Sequence, residues 1–175
     1  GGLAYLDRAR SATGWNRVRY LRRARALTKE VEECVKKGNA NILDWLQLLK
    51  AEQLSISKSG TEKANLDLVR SAYDHAIQSA ARSGFIHMAA LANERASIYF
   101  LSIGEKYWGQ DYMHRAVELY TEWGALGKVH KLEFEHGFVS QPLSERGQVL
   151  SYQARPRFNQ SISNHVGQLR FGEDD

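Results

Sequence analysis

Apolar residues recur at helical spacing along most of this chain. In the first long stretch they fall at Val18, Leu21, Ala24, Leu27, Val31, Cys34 and Val35, with the arginines off the stripe. Gly38 and Asn39 suit a left-handed cap after it, and Lys36 and Lys37 suit its last turn. A second stripe carries Leu43, Leu46, Leu49, Leu54 and Ile56, with Asn41 placed to cap it. After the polar connection "SKSGTEKAN", where Thr61 or Asn65 can cap, a helix over about 65–83 buries Leu68, Val69, Ala72, Tyr73, Ala76, Ile77 and Ala80. Further helices are predicted over about 86–103 and 106–123, followed by the shorter "GKVHKLEFEH" and preceded, at the start, by "YLDRARSA", which breaks near Gly14. Pro142 and Pro156 are the only prolines, so the strongest helix breaker is missing before residue 142. The pattern predicts an all-α chain of six or seven helices joined by short loops.

One helix ending is written twice. "YDHAIQSAARSGF" starts at residue 73 and "MHRAVELYTEWGA" at residue 113, so Ala76 falls on Ala116, Ile77 on Val117 and Gly84 on Gly124 at an offset of 40 (116 − 76). The preceding helices match at 42 (94 − 52): Glu52 with Glu94, Ser55 with Ser97, Ile56 with Ile98. A helix pair that recurs about every 40 residues is the signature of an α-solenoid. Gly109, Met113 and Ala116 have the spacing of a tetratricopeptide second helix, with small residues where helices cross closely; Val69, Tyr73 and Ala76 stand at the same spacing. Gly84 and Gly124 replace the usual terminal proline.

The stretch "YDHAIQSAARSGFIHMAALANERASIYFLSIGEKYWGQDYMHRAVELYTEWGALGKVHKLE" resembles the helical region of large multidomain signalling kinases of fungi and bacteria. The features that carry the resemblance are "YDHAI", "SGFIHMAALANERAS", "YTEWGALGKV" and, earlier, "KKGNANILDWLQLLKAE"; it covers roughly residues 18–135. Those proteins carry a kinase-like domain, a nucleotide-binding ATPase module, a helical repeat region, a GAF domain and a histidine kinase. The resemblance implies a non-catalytic connector, with the catalytic machinery outside it and no catalytic or cofactor residue to carry over. Trp108 stands where the family usually has a smaller residue, and the tail after Gly137 lacks a recognisable GAF start.

Composition fits a soluble globular domain: 43% hydrophobic and 25% charged residues over 175 positions. Cys34, the only cysteine, excludes an internal disulfide framework, suits a reducing compartment and is expected in the core. The absence of a signal-peptide layout and of an initiator methionine makes the chain read as an excised cytoplasmic piece, and no stretch is apolar enough to span a bilayer. The net charge of +4 is unevenly placed. Eight basic and no acidic residues lie from Arg8 to Lys29, which leaves 16 (24 − 8) Lys and Arg against 20 acidic residues elsewhere.

Candidate chemistry is sparse. The 14 glycines sit at helix ends and make no phosphate loop. His130 and His136 flank Glu133 and Glu135, but six residues on a helix turn them to different faces, so no metal site is expected. His87 reads as a capping or surface residue, and Cys34 has no histidine within helical reach to make a nucleophile pair. No cofactor is expected, and the chain is not expected to be an enzyme. Arg17, Arg19, Arg22, Arg23 and Arg25, interleaved with Trp15 and Tyr20, could meet an acidic protein partner or grip phosphates, or simply be the wet face of a helix beside Glu30, Glu32 and Glu33. Trp108 and Tyr112, at a helix start, could line a peptide groove, although most of the aromatics are expected in the core.

The expected organisation is a helical repeat domain over residues 1–137 and a Ser-, Gln-, Asn- and Arg-rich linker or partly disordered tail over 138–175, whose acidic end could meet the basic helix. The expected function is a scaffold or connector in a signal-transduction kinase, contacting flanking domains or a peptide partner. A free-standing peptide-binding adaptor, an RNA-binding helical repeat through the basic helix, and a helical enzyme with a site made by tertiary contacts are the alternatives. Nucleic acid is the disfavoured partner, and no membrane contact is expected.

Overall fold

The computed structural model describes residues 1–57 and 65–139. Seven α-helices make up nearly all of it: α1 Gly2–Ser11, α2 Gly14–Lys36, α3 Leu43–Ile56, α4 Leu66–Arg82, α5 Ile86–Ser102, α6 Lys106–Glu122 and α7 Leu126–Glu135, with a 3₁₀ turn, Ala40–Ile42, before α3. No strand occurs among the described residues. The expected tail beyond residue 139 lies outside them.

From α4 onward the chain keeps a fixed step. α4, α5 and α6 are each 17 residues long, and the starts of α4 to α7 are 20 residues apart (86 − 66, 106 − 86, 126 − 106). The step is set by one repeated stop signal. Gly84, Gly104 and Gly124 take φ of 74°, 85° and 83°, a left-handed conformation that a Cβ would strain. At each, the next residue's N–H reaches back five positions, Phe85 to Ala80 O, Glu105 to Phe100 O and Ala125 to Tyr120 O, while the glycine N–H bonds to the carbonyl three positions back. Orphan carbonyls of each helix end are thereby satisfied. Gly38, with φ 96°, ends α2 with the same pair of bonds.

Each helix packs on the next along the chain, and α1, α3 and α5 also touch in succession, whereas α1 and α2 reach neither α6 nor α7. The largest apolar cluster joins Leu48 and Ala51 of α3, Val69, Tyr73, Ala76 and Ala80 of α4, Ala92, Ala96, Tyr99 and Phe100 of α5 and Tyr112 of α6. Aromatic rings run through it: Tyr73 to Tyr99 at 6.0 Å, Tyr99 to Phe100 at 4.9 Å, Phe100 stacked on Tyr112 at 5.6 Å. Alanines let the helices approach between these rings. The closest approach is at Gly109, where an added Cβ would lie 2.6 Å from the Leu101 side chain and 3.1 Å from its backbone nitrogen. Ser97 Oγ donates to the Gly109 carbonyl there at 2.6 Å.

Several expectations are corrected. Cys34 is exposed, because the buried face of α2 runs through Ala24 and Thr28, a quarter-turn away. Val18 and Leu68 are also exposed, at 49% and 54%. α2 begins at Gly14, four residues before the first expected apolar position, and Asn41 lies within the 3₁₀ turn while Ile42 takes the cap position of α3. After α7, Val139 is buried with Val129 and Leu132, and Phe138 packs beside them.

Candidate functional site

Two features other than the apolar core concentrate chemistry: a buried carboxylate between α1, α3, α4 and α5, and the exposed basic face of α2.

Glu52 projects from the apolar face of α3 and is fully buried. Its Oε1 accepts from Tyr73 Oη at 2.8 Å and Arg95 Nε at 3.0 Å, and its Oε2 from Arg95 Nη2 at 2.8 Å and Arg10 Nη2 at 2.9 Å. Arg95 also pairs with Asp7 of α1, and Arg10 donates to Ser55 Oγ at 2.6 Å. Burial pushes the Glu52 carboxyl up, but the hydrogen bonds and charges of Arg95 and Arg10 outweigh it and hold the group below its ordinary value of 4.5. Both oxygens have two donors each, so their lone pairs are taken by neighbouring helices. The arrangement is a four-helix clamp, and no acceptor position on it is open to a substrate.

A smaller version recurs further on. Glu94 of α5, 8% exposed, accepts from Tyr120 Oη at 2.8 Å and from Lys128 Nζ at 2.7 Å. Tyr112 Oη donates to Asp74 Oδ1 at 2.6 Å, tying α6 to α4. Burial, followed by the carboxylate hydrogen bond, raises the Tyr112 hydroxyl far above its ordinary value.

The sequence-predicted partner residues separate into three groups. Arg17 is turned inward: its Nη1 donates to Ala9 O at 2.9 Å and its Nη2 to Ile56 O at 3.1 Å, closing the last turns of α1 and α3. Arg19, Arg22, Arg23 and Arg25 are exposed and form no ion pair among the described residues, although Arg19 lies 5.5 Å over the neighbouring Tyr20 ring. Trp108 is partly buried against the main core with the Arg70 guanidinium 4.4 Å above its ring, and Tyr112 is 1% exposed. The acids of α2 that were expected to neutralise the arginines instead meet lysines, Glu32 with Lys50 and Glu33 with Lys36.

An apolar cleft of about 310 Å³ opens between α1, α2 and α3, lined by Gly1, Gly2, Leu3, Val31, Ile42, Trp45 and Leu49. No titratable side chain lines it, so it lacks the convergent polar groups of a catalytic pocket. Among the described residues no group of three or more His, Cys, Asp or Glu could hold a metal; His130, 77% exposed, faces Glu133 at 3.6 Å, while His136 packs on Phe138. No described helix is long and apolar enough to cross a membrane.

Searches of family models, curated proteins and solved structures return no match for this chain.

Sequence reasoning passed over Glu52, Glu94, Arg10 and Arg95 as chemistry. The signal was present in the alignment of Glu52 with Glu94, two charges at matched positions on apolar helix faces, which a repeat keeps only if something buried answers them.

Proposed function

We propose that this chain is a tetratricopeptide-like α-solenoid of antiparallel helix pairs that serves as a non-catalytic connector within a multidomain signal-transduction kinase, holding flanking domains or a peptide partner in the cytoplasm. The observation that carries the solenoid is the fixed 20-residue step of α4 to α7, with the same glycine stop at each join. Backbone packing that falls between helices at most two apart in the chain adds to it, since stacked repeats bury their faces mainly against adjacent repeats. The resemblance of residues 18–135 to the helical region of such kinases supplies the functional part of the reading.

The buried polar groups suit a spacer. Glu52 and Glu94 join successive helices through filled hydrogen bonds, which fixes their register and leaves the joins stiff. The open reading frame around this segment tests the connector reading. Kinase-like and ATPase motifs before it, with a histidine-kinase core after it, uphold the proposal. A frame without those motifs overturns it.

A free-standing adaptor is the second reading. It is favoured by one observation, the set of exposed arginines on α2 that the described fold leaves unpaired.

A further inference from the structure

The outward face of α2 carries a strip that the fold does not use. At 3.6 residues per turn, Trp15, Arg19, Arg22, Ala26 and Lys29 fall within an arc of about 80°. Arg23 and Arg25 flank the strip on either side. All of these residues are exposed, Trp15 to 87%. The opposite face, through Leu21, Ala24 and Thr28, is the one that meets α1 and α3. Positive charge is therefore held in a row, on a rigid helix, with an indole at one end and the small Ala26 where another backbone can come close. The row is about 21 Å long, from 14 residues (29 − 15) at 1.5 Å each.

We propose that this face is a docking site for an acidic segment of a partner protein. Three observations select that occupant. First, arginine forks match carboxylates in pairs, and four arginines here have no carboxylate among the described residues. Second, the rest of the sequence carries 16 basic against 20 acidic residues, so a long polyanion such as RNA would be repelled wherever it left this strip, whereas a short acidic segment would end with it. Third, aromatic stacking on the strip is limited to Trp15, because Tyr20 is half-buried and its ring lies 6.3 Å from Tyr5. A single indole is a poor track for successive bases but a good anchor for one apolar side chain.

The site does not depend on the connector reading: the reading frame decides that, and binding decides this. The test is fluorescence anisotropy on the full chain with a labelled, glutamate-rich peptide of about twelve residues carrying one leucine near its end. A single-stranded RNA of similar length is the rival probe. The expected result is saturable binding of the peptide that weakens at least roughly ten-fold from about 50 to about 300 mM salt. A charge-reversed chain, Arg19→Glu, Arg22→Glu and Arg23→Glu together, should lose at least about ten-fold in affinity, and the same three positions changed to Gln should lose less with unaltered helicity. Three results overturn the proposal: no binding of the peptide to any form of the chain, equal binding by the wild-type and Gln forms, or binding of the RNA alone. Binding that emerges only after Glu173→Lys, Asp174→Lys and Asp175→Lys also overturns it, since the chain's own end would then be the occupant.

Discussion

Glu52 of α3 and Glu94 of α5 are held in the same way. Each accepts a hydroxyl from a tyrosine of the next helix, Tyr73 or Tyr120, and a cation from the helix after that, Arg95 or Lys128. The tyrosines themselves stand at different separations, 21 (73 − 52) and 26 (120 − 94) residues downstream. The geometry is therefore reached by two different paths, which marks the carboxylate as the feature that the fold keeps.

Removing Glu52 is expected to be more damaging than removing its counterpart. Glu52→Ala leaves the Arg10 and Arg95 guanidiniums without their buried partner, and stripping one side of a buried ion pair costs about 3–5 kcal/mol. Glu94→Ala frees the 32%-exposed Lys128 to water and should cost about 1–2 kcal/mol, nearer a single charged hydrogen bond. Tyr73→Phe should also fall near about 1–2 kcal/mol. Urea unfolding followed by circular dichroism measures the three; equal losses at Glu52 and Glu94 would refute the clamp.

Stability should depend on pH at both ends of the scale. The Glu52 carboxyl is depressed in the folded chain, so its contribution is full above about pH 4.5 and is lost as pH falls through the lower folded value. Glu52→Gln should flatten that acid limb. The hydroxyls of Tyr73, Tyr112 and Tyr120 are raised, in each case first by burial and then by a carboxylate. Their contribution is full below about pH 10 and is lost as pH rises towards the raised values. Absorbance at the tyrosinate band should therefore show these three titrating only together with loss of helicity, and early titration of all eight tyrosines would refute their burial.

Two glycines should fail for different reasons. Gly109→Ala gains helix propensity of about 1 kcal/mol but drives a Cβ into Leu101, and overpacking of this kind costs about 1–3 kcal/mol. Gly104→Ala meets no neighbour and is opposed only by its φ of 85°, about 1–2 kcal/mol. A second substitution separates them: Leu101→Ala should rescue Gly109→Ala and do nothing for Gly104→Ala. Thermal melts of the two double variants decide it.

The helices and their stops were legible because both are local. Apolar spacing and a glycine after the last turn are enough to end α2, α4, α5 and α6, and the Gly109, Met113, Ala116 pattern identified a close crossing that the structure contains. What escaped depends on partners distant in sequence. Arg17 looked like surface charge until residues 8 and 39 positions away supplied carbonyls for it, and Tyr112 looked like a groove residue until Phe100 covered its ring. Cys34 was misplaced because a stripe read at both four- and three-residue spacings drifts around a 23-residue helix, and Val18 and Cys34 fall away from the side that Ala24 and Thr28 bury. The exposed arginines of α2 were legible as charge, but not as unpaired charge, since that required knowing where Lys36 and Lys50 point.

Cys34 should behave as a surface thiol. It is exposed on the outer part of α2, two turns from the buried Thr28, and no described cation or histidine is paired with it. A thiol-specific disulfide reagent is expected to label it completely in the native chain, without denaturant and with one equivalent released. The labelled chain should keep its helicity and melting temperature.

Arg17 should prove structural, unlike its four exposed neighbours. Its two donors serve carbonyls at the ends of α1 and α3, groups that no helical N–H reaches. Arg17→Ala removes both bonds and is expected to cost about 1–2 kcal/mol. Arg17→Lys keeps the charge but can serve only one carbonyl well, and should recover about half of the loss. Arg22→Ala, on the outward strip, should stay within about 0.5 kcal/mol of the parent. Chemical denaturation of the three variants measures the difference. If Arg17→Ala and Arg22→Ala are equally mild, the inward bridge contributes nothing, and Arg17 belongs with the basic face after all.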